Sequence, residues 1–221
     1  LLVIAGLLPA LAFLFILYRL DRHREPPGLV FRFFLVGAVV VLPAGIAERT
    51  LLDLYSLTPD PQQGFIYTMI SAFFVAGVVE EGLKALCFLR LVDRKPFFEE
   101  PYDGIVYAGA IGLGFAAVEN VLYVTSSGID TAFVRAFTAV PAHAVFAVIM
   151  GSRFARARFF GASRWPAFAI PALLHGFYDA FAMSQGYVWN LALAFYLMVI
   201  VAYAMHELRI EKQRELHYRR S

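Results

Sequence analysis

Glu80, Glu81 and Lys84 lie within an apolar run that extends from about residue 65 to 91, and few folds accommodate that arrangement. At the centre of a membrane helix an Asp, Lys or Arg costs roughly 2.5–3.5 kcal/mol on insertion scales. With Glu taken as similar, the three groups oppose insertion by roughly 8–10 kcal/mol, against about 6 kcal/mol from the large apolar residues of the run, before any pairing. The run spans a bilayer only if its charges face one another, other polar groups or water inside a bundle. Glu119, His143 and His175 repeat the pattern on later apolar runs. Such groups mark a functional site by default, and the expected chemistry is proton transfer within a membrane.

Composition agrees with a membrane-embedded chain. Apolar residues make up 60% and charged residues 16%, with a mean hydropathy of +0.67. A soluble domain is about half apolar and a quarter charged. A span needs about 20 mostly apolar residues. That rule predicts seven, at roughly 1–18, 29–47, 65–91, 102–125, 133–152, 166–184 and 188–206. Pro26-Pro27, Pro59 with Pro61, Pro96, Pro101 and Pro166 punctuate the joints. The first apolar run is read as a span rather than a signal peptide, because its basic residues follow it and no small-residue cleavage site ends it. No linker separates two domains, so residues 1–221 are expected to form one all-α, polytopic membrane helix bundle. No basic patch with interleaved aromatics points to nucleic acid. The lone Cys87 forms no internal disulfide.

The basic residues set an expected orientation. Arg19, Arg22 and Arg24 share the first joint, and Arg90, Arg94 and Lys95 the third. Arg153, Arg156, Arg158 and Arg164 share the fifth, and Arg209, Lys212, Arg214, Arg219 and Arg220 the tail. Fifteen of the 19 Lys and Arg residues thus fall on one side; Arg49 and Arg135 fall on the other, and Arg32 and Lys84 within spans. The positive-inside rule then places the N-terminus outside and the C-terminus in the cytoplasm of a multi-pass cell-membrane protein. The tail from Glu207 onward is expected to be a solvated helix end.

At about 100° per residue, Lys84 lies angularly between Glu80 and Glu81 and can reach either. Two neighbouring carboxylates beside an ammonium suit a base paired with an acid or hydrogen-bond donor; the plainer alternative is a salt bridge fixing helix register. On the next span, Ala108, Gly112 and Ala116 form a stripe of small residues that lets another helix approach closely. Glu119 and Asn120 follow. Glu119 is placed to position Lys84 or a histidine, to ligate a metal, or simply to lie wet near the outer interface. His175 and Asp179 are one turn apart, so the Asp can fix the imidazole tautomer. His143 taken alone reads equally as a hydrogen-bonded core histidine. Glu80 precedes Arg90 by ten residues, His143 precedes Arg153 by ten, and His175 follows Trp165 by ten. Ten helical residues rise about 15 Å, half the hydrocarbon thickness, so the three groups share a level near the midplane.

Glu80-Glu81-Gly82-Leu83-Lys84, Phe115-Ala116-Ala117-Val118-Glu119-Asn120 with Tyr123, His143 with Phe146, and Leu174-His175-Gly176-Phe177-Tyr178-Asp179 occur in order on four successive spans. In these residues the chain resembles the PrsW family of intramembrane proteases, within the wider group of CAAX prenyl endopeptidases and bacteriocin-processing proteins. The resemblance covers about residues 65–182. It implies a membrane peptidase that cuts membrane-anchored proteins, an anti-sigma factor being the best-known substrate class. It also implies catalytic roles: Glu80 and Glu81 as base and partner, His143 and His175 binding water or polarising the scissile carbonyl. Glu119, Asn120 and Asp179 would support them, alongside Lys84. Neither a Ser-centred nucleophile motif nor a His-Glu-x-x-His pair is present. Hydrolysis by activated water is therefore expected. Either a glutamic-type site without cofactor or a zinc site held by Glu81, His143 and His175 would serve. A proton-coupled transporter and a non-catalytic membrane scaffold are the rival classes; the absence of an internal repeat counts against the first.

Overall fold

Apolar runs separated by proline and basic joints fold as helices throughout. The computed structural model describes residues 1–55, 64–184 and 186–218, so Pro59, Pro61, Arg219 and Arg220 lie outside the described residues. The order is α1 (Leu2–Leu20), α2 (Pro27–Tyr55), α3 (Phe65–Ala72), a π-helical turn (Phe73–Gly77), α4 (Val78–Leu91), α5 (Pro101–Ser127), α6 (Ile129–Phe137), α7 (Ala139–Phe160), α8 (Pro166–Met183) and α9 (Tyr187–Tyr218). The stretch from α3 to α4 is continuous, and α6 and α7 follow one another directly, so the described residues form seven rods, as expected. The fifth rod differs in detail: it begins at Ile129 and breaks at Thr138. Pro141 has no N–H to donate, which a first helical turn does not need, and α7 restarts just before it.

Five rods are long and apolar enough to cross a membrane: α1, α2, α5, α6 with α7, and α9. The remaining two, the α3–α4 rod and α8, are the ones that carry Glu80, Glu81 and Lys84, and His175 and Asp179. Large apolar side chains such as Phe15, Leu42, Phe195 and Met198 face outward from α1, α2 and α9.

The axis of the bundle is α5. Pro101 opens its first turn, and Glu100 and Asp103 cap one another's backbone N–H groups. From there α5 is buried almost continuously to Ala117. Its small-residue stripe faces α7, as expected: a Cβ on Gly112 would come 2.8 Å from Ala147 Cβ. Close packing of this kind substitutes for the hydrophobic effect, which gives no advantage between helices in lipid. At the α4–α7 contact, Phe88 stacks on Phe154 with ring centroids 4.5 Å apart.

The π-helical turn lies against α8 at a close crossing beside the polar cluster. A Cβ on Gly77 would fall 2.5 Å from the Ala172 carbonyl oxygen, and one on Gly176 would fall 2.8 Å from Phe73 Cα. That contact sets the two charged rods side by side.

The four basic joints gather at one end of the bundle. Arg158 donates to the carbonyls of Asp93 (2.7 Å), Phe98 (3.1 Å) and Lys95 (3.3 Å), and Arg164 pairs with Asp93 at 3.1 Å. His23 Nδ1 meets Glu215 at 3.1 Å and Glu100 at 3.3 Å. This end also holds carboxylates that no sequence motif announces. Burial raises the pKa of Asp21 and of Glu25 above the ordinary carboxylate value. The expectation of a solvated tail does not hold. Glu207, Glu211 and Glu215 are buried, because their four-residue spacing puts them on one face of α9, where Glu207 and Glu211 meet α7. Ser152 Oγ lies 2.7 Å from Glu207 and 2.9 Å from Glu211, with one hydroxyl proton to share between them, Arg153 pairs with Glu207 at 2.9 Å, and Arg156 pairs with Glu211 at 2.9 Å.

The α4–α8 crossing yields a direct test. Gly176→Ala puts a methyl group against the Phe73 backbone and is expected to lower stability by about 1–3 kcal/mol, the usual cost of overpacking. Unfolding of the detergent-solubilised protein, followed by circular dichroism, measures it.

Candidate active site

Four helices bring the sequence-predicted residues together. α4 carries Glu80, Glu81 and Lys84, α5 carries Glu119, α7 carries His143, and α8 carries His175 and Asp179. Lys84 sits at the centre. Its Nζ donates to Glu81 Oε1 at 2.7 Å and Glu80 Oε2 at 3.0 Å, and lies 3.4 Å from His143 Nδ1. The ammonium also stands 4.0 Å from the centroid of the Phe115 ring, whose face attracts cations. Lys84 is 2% exposed and Glu81 1%, so the pair is shielded from solvent and lipid alike.

The two histidines are adjacent, with ring centroids 5.1 Å apart. His175 Nδ1 meets Glu81 Oε1 at 3.0 Å and its Nε2 faces Asp179 Oδ2 at 3.4 Å. One face of the ring stacks on Phe146 at 4.9 Å. His143 Nε2 meets Glu119 Oε2 at 2.8 Å. Glu119 thus engages a histidine rather than Lys84. Its other oxygen pairs with Arg135 NH2 at 3.1 Å. Asn120 lies one position round the helix: its Nδ2 donates to the Gly6 carbonyl (2.8 Å), and its Oδ1 accepts from Arg135 Nε (2.9 Å). It braces the site through Arg135 and α1 rather than entering it.

A cavity of about 330 Å³ opens beside this cluster. Glu80, Glu119, His143, His175 and Asp179 line it, whereas Glu81 and Lys84 lie behind its wall. The two carboxylates on α4 are therefore inequivalent: Glu80 meets the cavity, and Glu81 holds Lys84 and His175 in place.

Two lining residues carry no signal in the sequence. Glu48 of α2 borders the cavity, and its Oε1 is buried without a hydrogen-bond partner among the described residues. It sits at the end of an apolar run with no motif around it. Arg135 of α6 looks like an ordinary joint residue that only counts toward orientation. Yet it lines the cavity, secures Glu119 and stacks 4.0 Å over Tyr123.

One donor atom each from Glu80, Glu81, His143 and His175 lies within 4.8 Å of the others. Two imidazoles with carboxylates form a donor set that suits zinc, so the residues present fit a metal of that class. Lys84 already contacts three of the four, so any bound ion shares these donors with an ammonium.

Lys84 is the test of this electrostatic arrangement. Lys84→Met leaves two buried carboxylates without their cation and is expected to cost roughly 3–5 kcal/mol. Adding Glu81→Gln to the same chain should recover part of that loss, a coupling that a double-mutant cycle of detergent unfolding reads directly.

A family model described as PrsW family intramembrane metalloprotease matches residues 25–205. Among curated proteins, one named Protease PrsW from Oceanobacillus iheyensis is 34% identical over 209 residues, 93% of each chain. A namesake from Geobacillus kaustophilus is 36% identical over 190 residues, 83% of this chain and 80% of the relative. Another, from Bacillus subtilis, is 36% identical over 181 residues, 79% of each. No solved structure matches. With four-fifths of its length accounted for in this way, the chain belongs to the PrsW family of intramembrane proteases.

Proposed function

We propose that this intramembrane protease hydrolyses peptide bonds of membrane-anchored protein substrates, an anti-sigma factor being the substrate class, with water activated by Glu80. The observation that carries the reading is that Glu80 alone of the α4 cluster faces the cavity, opposite two imidazoles. A water molecule between Glu80 and a scissile carbonyl loses its proton to the Glu80 carboxylate as it attacks. Lys84, bonded to Glu80 Oε2, orients the carboxylate for that task. His143 and His175 border the same cavity, and each polarises the carbonyl oxygen by turning its Nε2–H from the carboxylate it meets in this structure toward the developing negative charge. Glu119, held by Arg135, fixes the His143 ring, and Asp179 with Glu81 fixes the His175 ring. The proton taken by Glu80 then passes to the departing amine.

Glu81, His143 and His175, with Glu80 beside them, are the residues that would hold zinc. When bound, such an ion supplies Lewis acidity and lowers the pKa of a water it carries. Every proton-handling role above belongs to the protein's own side chains in either case. We place the N-terminus outside and the C-terminus in the cytoplasm, on the strength of the basic joints gathered at one end, and treat the chain as one protease domain whose working core is residues 65–182.

Glu80→Gln is isosteric and keeps the cavity shape. It is expected to leave substrate binding intact and cut turnover by about 10²–10⁴-fold, the usual contribution of a general base. Co-expression with single-span membrane proteins, scored for truncated products, checks this; continued cutting by both Glu80→Gln and Glu81→Gln would refute the mechanism. Activity before and after chelation, with bound metal quantified in parallel, decides between the two chemistries. Full activity of metal-free protein eliminates zinc.

A further inference from the structure

A second group of ionisable side chains lies at the opposite level of the bundle, at the basic end. Asp21 follows α1, Glu25 precedes α2, and Asp103 occupies the first turn of α5. One carboxylate oxygen from each lies within 4.8 Å of the other two. Asp21 is 4% exposed and Asp103 2%. Three carboxylates held this closely, two of them buried and Glu25 half-buried, repel one another unless a cation or a shared proton intervenes.

Lys and Arg do not supply the cation. Among the described residues no Lys or Arg pairs with any of the three, although many stand at this end of the molecule. Lys212 lies over the ring of Tyr102 instead, 5.7 Å from its centroid. The neighbouring charged groups add to the deficit. Glu215 and Glu100 flank the group and share one histidine, His23, between them. Glu99 adds a further negative charge near Glu25.

An independent observation points to a ligand. Asp21 Oδ1 accepts the His23 backbone N–H at 2.9 Å, whereas Oδ2 is buried and has no hydrogen-bond partner among the described residues. A buried carboxylate oxygen without a partner calls for an explanation, and a bound ion is one of the standard ones. Asp103 presents a complementary arrangement. Its Oδ2 accepts the backbone N–H groups of Glu99 and Glu100, both at 2.8 Å, which holds the carboxylate rigidly beside Glu25, with which it shares a side-chain hydrogen bond. Glu25 is anchored by the Tyr107 hydroxyl.

We propose that Asp21, Glu25 and Asp103 form a binding site for a hard divalent cation, magnesium or calcium. The donors are all carboxylate oxygens, the ligand type such ions take, and water completes the shell. The site joins the α1–α2 turn to the start of α5. Through the His23 bridge to Glu215 it also fastens the end of α9. It is separate from the Glu80 cluster and does not depend on how that cluster works.

The experiment uses the full chain in detergent, stripped with chelator and dialysed metal-free. Binding of magnesium and of calcium is measured by isothermal titration, alongside thermal unfolding with and without each ion, for wild type, Asp21→Asn, Glu25→Gln and His143→Ala. One saturable ion is expected in wild type and in His143→Ala, raising the unfolding temperature of both. Asp21→Asn and Glu25→Gln should each weaken that binding about tenfold or more. In chelator, Asp21→Asn should unfold at or above the wild-type temperature, since it removes an uncompensated charge, and the ion-induced rise should vanish. Absence of saturable binding, or isotherms that Asp21→Asn leaves unchanged, would overturn the site and leave a shared proton as the device that keeps these carboxylates together. Loss of binding in His143→Ala alone would assign the ion to the Glu80 cluster and overturn the proposal equally.

Discussion

The burial of one ammonium between two carboxylates organises this molecule. Lys84 is out of contact with water, so its charge must be met in place. Glu80 and Glu81, one turn before it on the same helix, meet it. Pairing on a single helix leaves capacity over. Glu81 turns its remaining interactions toward His175, and the ammonium reaches His143, so three helices are held to one polar centre. Removing a partner from such a network costs more than the pair contributes, because the survivor stays buried and uncompensated. The same logic accounts for Arg135, which keeps Glu119 neutralised while Glu119 holds His143.

Much of this was legible in sequence, for definite reasons. A helical rise and twist put Lys84 between its two glutamates whatever surrounds them, and the equal distances of Glu80, His143 and His175 from their basic joints placed them at one depth. The small-residue stripe on α5 announced a close neighbour and found it in α7. What stayed hidden depended on rotation about a helix axis or on partners far along the chain. Glu48 faces the cavity only because α2 packs against α5 in one register. Arg135 looks like a loop charge until α6 folds back over Glu119. The tail looked solvated because Glu207, Glu211 and Glu215 alternate with basic residues, and nothing local says that arginines on α7 await them.

Polar contacts divide the bundle into two levels with different characters. Around the Glu80 cluster seven Asp, Glu, Arg and His side chains line one cavity. At the basic end they are many, and they act as fasteners between joints: Arg158 on three carbonyls, Arg164 on Asp93, His23 on two glutamates. A cavity within a bundle keeps its shape only if its walls are rigid, and the small-residue crossings between α5 and α7 and between the π-helical turn and α8 supply them without bulky side chains that would fill it.

The two rods that carry the polar cluster have a consequence for biogenesis. The chain emerges from the ribosome with α3 and α4 well before α7 and α8, so the histidines that complete the polar centre do not yet exist when α4 must leave water. Only its own residues are available to mask its charge. The spacing of Glu80, Glu81 and Lys84 lets the helix neutralise itself at that moment, by contacts that need no other segment. The α8 segment, arriving later with His175 and Asp179, enters against a polar surface already waiting for it. The spacing that centres the polar cluster is thus also what makes its delivery into the membrane energetically feasible.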